Sequence, residues 1–499
     1  MSRLSASRSA PMLPALGVGI THSASIEPLL EQYPSLFDVV EIEPQTTWLP
    51  TPSGPAPFRL LDSVLEHLAG LPGRKIVHSV GTPVGGTVRP DPTQLALLSK
   101  TIKALHAPWA SDHLSFNATP QFSTGFFLPP RQTPEGVETV SRSIRDLQQA
   151  LIVPIAVETG VNYLRPRSDE MPDGLFVAAV AEATDCGLLL DLHNVFANSL
   201  NGRQPMNEFL TQIPLDRVWE VHLAGGFEMD GYWLDAHSGP IPAPLLDVAQ
   251  RVIPALPNLK GIIFEIFPSF VAKVGLDVIR AQIEKLHELW DLRRSGPGMA
   301  PRYVSNKPLP IANSADVLSA AEWEQAVGAL AIGRTPAGAA GELADDPGVA
   351  VVRNLIREFR ASMIVGVLRL TARLLMLALG ADVFRAILAG FWSEASPQQF
   401  AAAEAVAFAD YLIRLRLGVP QLTSVLNFER AVLATLTDER PRIIEFDFDP
   451  LPLLRALAEG RLPEVPGQQG RFEIKVTADD QSGIVAVDRE SLQSLVPFH

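Results

Sequence analysis

Short apolar runs alternate with longer stretches of helical spacing over the first 290 positions. Eight runs rich in aliphatic and β-branched residues stand out: Leu16–Ile20, Asp38–Ile42, Lys75–His78, Ala107–Ser111, Ile152–Glu158, Gly187–Asp191, Val218–His222 and Gly261–Glu265. Between and after them, apolar residues recur at three- and four-residue intervals. This predicts helices over Pro57–Ala69, Pro92–Leu105, Thr133–Ala150, Asp173–Thr184, Met206–Gln212, Pro242–Val252 and Leu276–Trp290. The strand runs are apolar almost throughout rather than alternating, as expected where both faces of a sheet are covered. Strands alternating with helices predict βαβ units and a parallel sheet. Eight such units in roughly 250 residues give the size and count of a closed (β/α)8 TIM barrel. The expected fold is therefore α/β, with the barrel over residues 15–291 behind a flexible leader at 1–14.

Beyond the last of these helices the pattern changes. Residues 292–315 are rich in Pro, Gly, Ser and Arg and read as a linker. Residues 316–440 then read as a mostly helical domain, with helices predicted at Ala315–Leu330, Gly348–Leu379, Ala381–Trp392, Pro397–Leu417 and Val419–Leu436. Residues 441–499 read as a small α+β tail with strands at Ile443–Phe448, Arg471–Val476 and Gly483–Val487, a candidate peptide-binding lobe. The most apolar stretch, Met363 to Trp392, is interrupted by Arg369, Arg373, Asp382 and Arg385. A membrane span needs about 20 apolar residues in a row, so a buried helix pair is expected there. The leader has no uninterrupted apolar segment of the kind a secretory signal carries. No membrane partner and a cytoplasmic location are expected.

Charge and cysteine content narrow the chemistry. A formal net charge of -14 leaves no basic footprint, so no nucleic-acid partner is expected. The single cysteine, Cys186, excludes an intramolecular disulfide framework and any cysteine-rich metal site. It lies in an apolar run, where a buried structural residue is expected.

In β/α barrels the working residues come from the carboxyl ends of the strands. Here the third run ends at His78, the fourth at Asp112-His113, the fifth at Glu158 and the sixth at Asp191-Leu192-His193-Asn194. The seventh ends at His222 and the eighth at Glu265, and the loop after the seventh adds Asp235-Ala236-His237. One such ending means little, since a lone strand-end His or Asp is usually structural. Yet His78, His113, His193, His222 and His237 make up five of the chain's 10 histidines. Carboxylates converging at one rim repel each other unless cations neutralise them. Mixed imidazole and carboxylate donors suit Fe, Mn or Zn, whereas Mg or Ca favours oxygen alone. Order around the barrel suggests Glu158 as a bridge, His78 and His113 completing one site, and Asp191, His222 and Glu265 a second. Asn194, Asp235 and His237 form a third, and Asp112 is either a ligand or an orienting group.

These segments resemble the multinuclear non-haem iron-dependent oxidative enzymes, which modify ribosomally made peptides. The pieces are Gly17-Val18-Gly19-Ile20, Val40-Glu41-Ile42-Glu43-Pro44 and Ser111-Asp112-His113-Leu114-Ser115-Phe116. They continue with Val157-Glu158-Thr159-Gly160-Val161-Asn162-Tyr163-Leu164, Leu189-Leu190-Asp191-Leu192-His193-Asn194-Val195, Glu220-Val221-His222-Leu223-Ala224-Gly225, Asp235-Ala236-His237 and Phe264-Glu265. The resemblance implies two or three irons, mixed Fe2+ and Fe3+, at His78, His113, Glu158, Asp191, Asn194, His222, Asp235, His237 and Glu265. It also implies an oxidase that uses O2 on Cys, Asp or Asn of a precursor peptide, with His193 and Asp112 as further catalytic candidates. Three departures stand out: Thr21-His22 replaces an Arg and a downstream His, Gln45 replaces an acidic residue, and His193 replaces a common Asn. The carboxyl-terminal half resembles, at Phe408-Ala409-Asp410-Tyr411-Leu412 and Pro420 to Glu429, the separate partner proteins of these enzymes. That implies a fused partner function.

Sugar isomerases and apurinic endonucleases also carry Glu, Asp, His and Glu on late barrel strands. An endonuclease needs basic loops for phosphate, against the acidic balance here. An isomerase usually adds a Lys or His base, and Lys273 lies beyond the last strand. A metal-dependent binding scaffold is the non-enzymatic alternative.

Overall fold

The computed structural model describes residues 13–51, 58–293, 318–336, 341–465, 467–477 and 485–486. Eight parallel strands form a closed barrel: β1 (Gly17–Thr21), β2 (Val39–Ile42), β3 (Arg74–Ser79), β4 (Ala110–His113), β5 (Ile155–Glu158), β6 (Gly187–Asp191), β7 (Val218–Ala224) and β8 (Gly261–Glu265). Their order around the barrel is their order in the chain, and β8 closes against β1 through Gly17↔Gly261 to Ile20↔Phe264. The glycines of β1 serve this closure. A Cβ at Gly19 would lie 2.0 Å from the backbone oxygen of Val39 on β2, so no larger residue fits that approach.

Two strands begin later than their apolar runs suggest. The helix Pro92–Leu105 is stopped by His106 in the left-handed conformation, and pairing in β4 starts only at Ala110. Ile152 is 69% exposed, and Pro154 has no N–H to give a neighbour, so β5 starts at Ile155. The helix expected over Pro57–Ala69 is Asp62–Gly70; Phe58–Arg59 instead pairs as a short strand with Leu49–Pro50. Cys186 is buried just ahead of β6, and burial pushes its thiol up to about 11, as an inert residue requires.

The described residues divide into two compact units. One falls within Met1–Thr46, His67–Ser115 and Pro129–Ala320; the other falls within Thr47–Glu66, Phe116–Leu128 and Ala321–His499. Two stretches from the sequence range of the barrel thus belong to the second unit. Both are hairpins, Leu49–Pro50 with Phe58–Arg59 and Phe116–Ala118 with Ser123–Leu128. In that unit the Phe58 ring lies 4.3 Å from the Phe400 ring, centroid to centroid, and Trp48 stacks on Phe400 at 6.5 Å. Nearly all of the leader and linker stretches (1–14 and 292–315) lie outside the described residues.

The rest of the second unit is mostly helical, around a core that includes Leu375, Phe391, Phe408, Val425 and Phe428. It ends in an antiparallel sheet, with Arg442–Phe448 against Gln469–Thr477 and the latter against Val485–Ala486. Along Arg442–Phe448, Ile444, Phe446 and Phe448 are buried while Ile443 is exposed, the alternation of a sheet covered on one face. The single helix expected over Gly348–Leu379 is two, Pro347–Val367 and Arg369–Leu379, bent by 107°. Nothing local marks this break. It is held from a distance by Glu429, whose carboxylate accepts the backbone N–H groups of Leu370 and Thr371 at 2.7 and 2.9 Å. No single helix among the described residues is long and apolar enough to cross a membrane.

Burial pushes the Glu429 carboxyl up to about 7, against the pull of those two N–H groups. The folded chain therefore holds this proton more tightly than the unfolded chain does. The stability that this provides is complete below about pH 4.5 and is lost as pH rises towards 7. Urea unfolding of the wild type and Glu429→Gln should accordingly show the wild type's advantage shrinking over that window by on the order of 3 kcal/mol. A difference independent of pH would mean that the carboxylate stays charged throughout.

Candidate metal centre

Side chains in a strand alternate between two faces, so a residue and the one two positions on point the same way. One hydrophobic cluster joins Val39, Ile76, Trp109, Ala156, Leu189 and Ile263. Two residues further along the chain from each stand Glu41, His78, Ser111, Glu158, Asp191 and Glu265. An apolar layer is thus followed on the same faces by a polar one, at the carboxyl ends of the strands. Neighbouring strands bring these residues side by side, with His113 in register with Glu158 and Asp191 with His222.

The side chains gather into overlapping groups whose donor atoms lie within 4.8 Å of one another. The first is His78, His113 and Glu158, with both Nε2 atoms near Glu158 Oε2, at 3.1 and 3.0 Å. Glu158 also belongs to a second, with Asp191 and His222. Asp191 belongs in turn to a third, with His237 and Glu265, and Glu265 Oε2 is 3.2 Å from His222 Nδ1. The fourth is His193, Asp235 and His237, where His237 Nε2 is 2.8 Å from Asp235 Oδ1. A fifth, Glu41, Glu220 and His222, lies on the inward faces of β2 and β7.

Surrounding groups fix the rings. His78 Nδ1 is 2.9 Å from Ser111 Oγ, and His113 Nδ1 is 3.2 Å from the carbonyl oxygen of Ser79, so each ring turns Nε2 to the centre. His222 Nε2 faces Glu41 Oε2 at 3.2 Å, which leaves Nδ1 towards Glu265. Glu41 is steadied by Thr21 Oγ1, and Glu220 by the indole N–H of Trp109. An imidazole backed by a carboxylate or carbonyl in this way is the arrangement that orients metal-binding histidines. His193 differs, because its Nε2 accepts from the indole N–H of Trp233 at 3.1 Å. In the neutral ring the proton then sits on Nδ1, 3.3 Å from Asp235 Oδ1.

The orphaned atoms test whether a cation fits. Glu158 Oε2, Asp191 Oδ2, Asn194 Oδ1, His222 Nδ1, Asp235 Oδ1, His237 Nε2 and Glu265 Oε2 are buried without a hydrogen-bond partner. Leaving such an atom unsatisfied costs about 1–3 kcal/mol. Several of these atoms nevertheless approach one another at 2.8–3.4 Å. Two donors about 2.1 Å from one ion and at right angles are ~3.0 Å apart, with lone pairs aimed at the ion rather than at each other. The donor set fits metal ions bound through nitrogen and oxygen.

Charge points the same way. Burial and then Glu265, Glu158 and Asp235 push the Asp191 carboxyl well above the ordinary range. Burial opposes charge on His78, but Glu41 and Glu158 outweigh it and carry the ring up to about 10. For Glu158 burial is overcome by His113 and His78, which bring it down to about 2. Protons on the imidazoles offset the carboxylates here, and a metal ion would take over that role and release them.

The structure brings together His78, His113, Glu158, Asp191, His193, His222, Asp235, His237 and Glu265. Asn194 stands beside Glu158, with Nδ2 3.3 Å from Glu158 Oε1, while His193 keeps company with Asp235 and His237. Asn194, expected with Asp235 and His237, thus stands at another group, and its neighbour His193 takes that position. Asp112, expected as a ligand, an orienting group or a catalytic group, has the opposite strand parity to Ser111 and His113. Its Oδ1 accepts the backbone N–H of His113 and its Oδ2 accepts Thr82 Oγ1, so both oxygens are occupied in supporting roles. His22 pairs with Glu27, which also meets His67. Gln45 holds the end of β3 through Ser79 Oγ and the Val80 N–H, and Lys273 lies over the Phe270 ring. Glu41 and Glu220 were not foreseen as part of the centre. The signal was a carboxylate inside a buried aliphatic strand, two residues from an inward neighbour.

Residues 15–266 match the family model described as RiPP precursor modification enzyme MbnB/TglH/ChrH. A UPF0276 protein of Streptomyces avermitilis is 33% identical over 234 residues, 44% of this chain and 48% of that one. One from Chromobacterium violaceum is 30% identical over 210 residues, 41% of this chain and 74% of that one. The chain therefore spans about half the length of the Streptomyces relative. Among solved structures, endonuclease IV from Thermus thermophilus matches with a TM-score of 0.35 at 16% identity, over 55% of this chain and 100% of that one. The 3-keto-D-glucoside 4-epimerase YcjR from E. coli matches with 0.34 at 15%, over 55% and 98%.

In protein stripped with a chelator, Asp191→Asn should raise the thermal midpoint, by about 2–4 °C for each kcal/mol of repulsion relieved. The same variant should lose the rise that added metal gives the wild type. A lower midpoint in chelator would mean that Asp191 is held by its neighbours and not by a cation. Glu41→Gln should weaken metal uptake about 10–100-fold without removing a donor atom, read by competition with a metal indicator.

Proposed function

Since this chain belongs to the MbnB/TglH/ChrH family of RiPP precursor modification enzymes, we propose that it is an O2-dependent oxidase holding two or three iron ions, mixed Fe2+ and Fe3+. Its substrate is a ribosomally synthesised precursor peptide, modified at Cys or at Asp or Asn. The observation that carries this reading is the set of orphaned, buried nitrogen and oxygen atoms at the carboxyl ends of the barrel strands. Mixed imidazole and carboxylate donors without thiolate suit iron, and the family resemblance selects it over manganese or zinc.

In this reading His78, His113 and Glu158 would hold one ion, and Asp191, His222 and Glu265, beside Glu158, would hold a second. Asp235 and His237 would hold a third, and Asn194 Oδ1, unpartnered beside Glu158, could serve as a further donor. Iron bound there supplies the redox chemistry by which dioxygen oxidises the peptide. The chain's own residues do the rest. Glu41, Ser111 and the Ser79 carbonyl keep the rings in one tautomer, and Asp112 braces the loop through Thr82. His193 Nδ1 holds a proton against Asp235, within reach of the centre, and acts as a proton-handling group.

The second unit is assigned the capture of the precursor. Among the described residues, Arg442–Phe448 pairs with Gln469–Thr477 and with no other strand. An edge of this kind offers backbone groups to an extended peptide.

The test joins metal content to product. Protein purified without oxygen should contain iron by elemental analysis and show its Mössbauer signature. Co-expression with candidate precursor peptides should change the mass of the true substrate. His222→Ala and Glu265→Ala should lose metal and product. His67→Ala, at an exposed pair with Glu27, and His287→Ala, bonded to the Leu36 carbonyl, should retain both. Iron-loaded protein that leaves every candidate precursor unchanged would remove the oxidase assignment.

A further inference from the structure

The second unit has a cavity of its own, unrelated to the metal centre. Arg353, Arg357 and Arg360 are spaced by four and three along the helix Pro347–Val367, which puts them on one face. They line a cavity of ≈ 120 Å³ together with Gly333, Ile356 and Trp392. One water needs about 10–15 Å³ measured in that way, so a group of several heavy atoms fits.

The charges around the cavity do not balance. Arg360 is buried, donates Nε to Glu404 Oε1 at 2.6 Å and Nη2 to the Ala395 carbonyl at 3.0 Å, and packs over the Phe391 ring. Glu404 is committed, because its second oxygen accepts the Gln398 N–H. Arg353 donates Nε and Nη2 to the Leu330 carbonyl, which satisfies a helix end but supplies no negative charge. Arg357 is exposed and has no ion-pair partner among the described residues. Three guanidinium groups thus share one carboxylate. Beside them the indole N–H of Trp392 is buried without an acceptor.

Cations held together in this way repel unless an anion joins them, and guanidinium groups favour oxyanions because their paired N–H donors match two oxygens. We propose that this cavity binds an oxyanion, a carboxylate or a phosphate, through Arg357 and the uncommitted donors of Arg353, with the Trp392 indole as a further donor. Arg360, tied to Glu404 and Ala395, forms its charged wall. The oxyanion is either a free ion or the carboxylate of an acidic peptide residue.

The experiment uses the full chain in the presence of a metal chelator, so that its result is independent of the proposed iron chemistry. Calorimetric titrations compare sodium phosphate, sodium acetate, and a short blocked peptide containing Glu and Asp with its Gln and Asn counterpart. Sodium chloride of equal ionic strength is the control. Saturable binding of an oxyanion above the chloride control is expected. Arg357→Gln should weaken it about tenfold or more, and Arg357→Lys should restore part of the loss. The ligand-free unfolding midpoint should be unchanged in both variants, since Arg357 supports no contact of the fold. Tighter binding of the acidic peptide than of acetate or phosphate would identify a peptide carboxylate, and binding of phosphate alone a free ion. The proposal fails if no oxyanion exceeds the chloride control, or if Arg357→Gln binds as the wild type does.

Discussion

Charge confined inside a barrel is the constraint on which the rest of this molecule depends. Acidic and imidazole side chains from six strands, β3–β8, and from the loops beyond them meet in a largely buried space. His78, Glu158, Asp191 and Glu265 were each placed there by the period-two geometry of a strand whose preceding inward residue belongs to the apolar core. The cost of burying such groups is large unless something offsets it. Protonated imidazoles can do so, and so can a metal ion. The outer layer of Glu41, Ser111, the Ser79 carbonyl and Trp109 makes sense only as a device that keeps the inner donors aimed.

Much of this was legible in the chain. Eight aliphatic runs at regular spacing are hard to arrange as anything but a barrel. Strand after strand ends in a titratable residue, which singles out the rim. Less visible were features that depend on parity or on distant partners. Asp112 and His113 are adjacent in the sequence but face opposite ways, and only one of them reaches the centre. His193 and Asn194 are consecutive on the first turn of a helix, and the register of that turn decides which meets Asp235. Glu41 looked like part of a motif rather than part of the site, because its partner His222 is so far along the chain.

The second unit shows the same limit at larger scale. The run from Gly348 to Leu379 has no proline at its break, and its two helices are separated by a carboxylate more than fifty residues away. Two hairpins inside the sequence of the barrel belong to the other unit, although nothing in their composition separates them from ordinary barrel loops. The arginine face around Ile356 was likewise hidden within a helix that reads as a plain amphipathic segment.

The interleaving of the two units bears on how this protein is made and how it can be cut. Phe58 and Trp48 leave the ribosome long before Phe400, against which they come to rest, so the second unit cannot be completed by its own carboxyl-terminal segment. A scission near residue 320 would strip that segment of two hairpins and deprive Phe400 of its two aromatic neighbours. The carboxyl-terminal segment expressed by itself would therefore lack two pieces of its own unit.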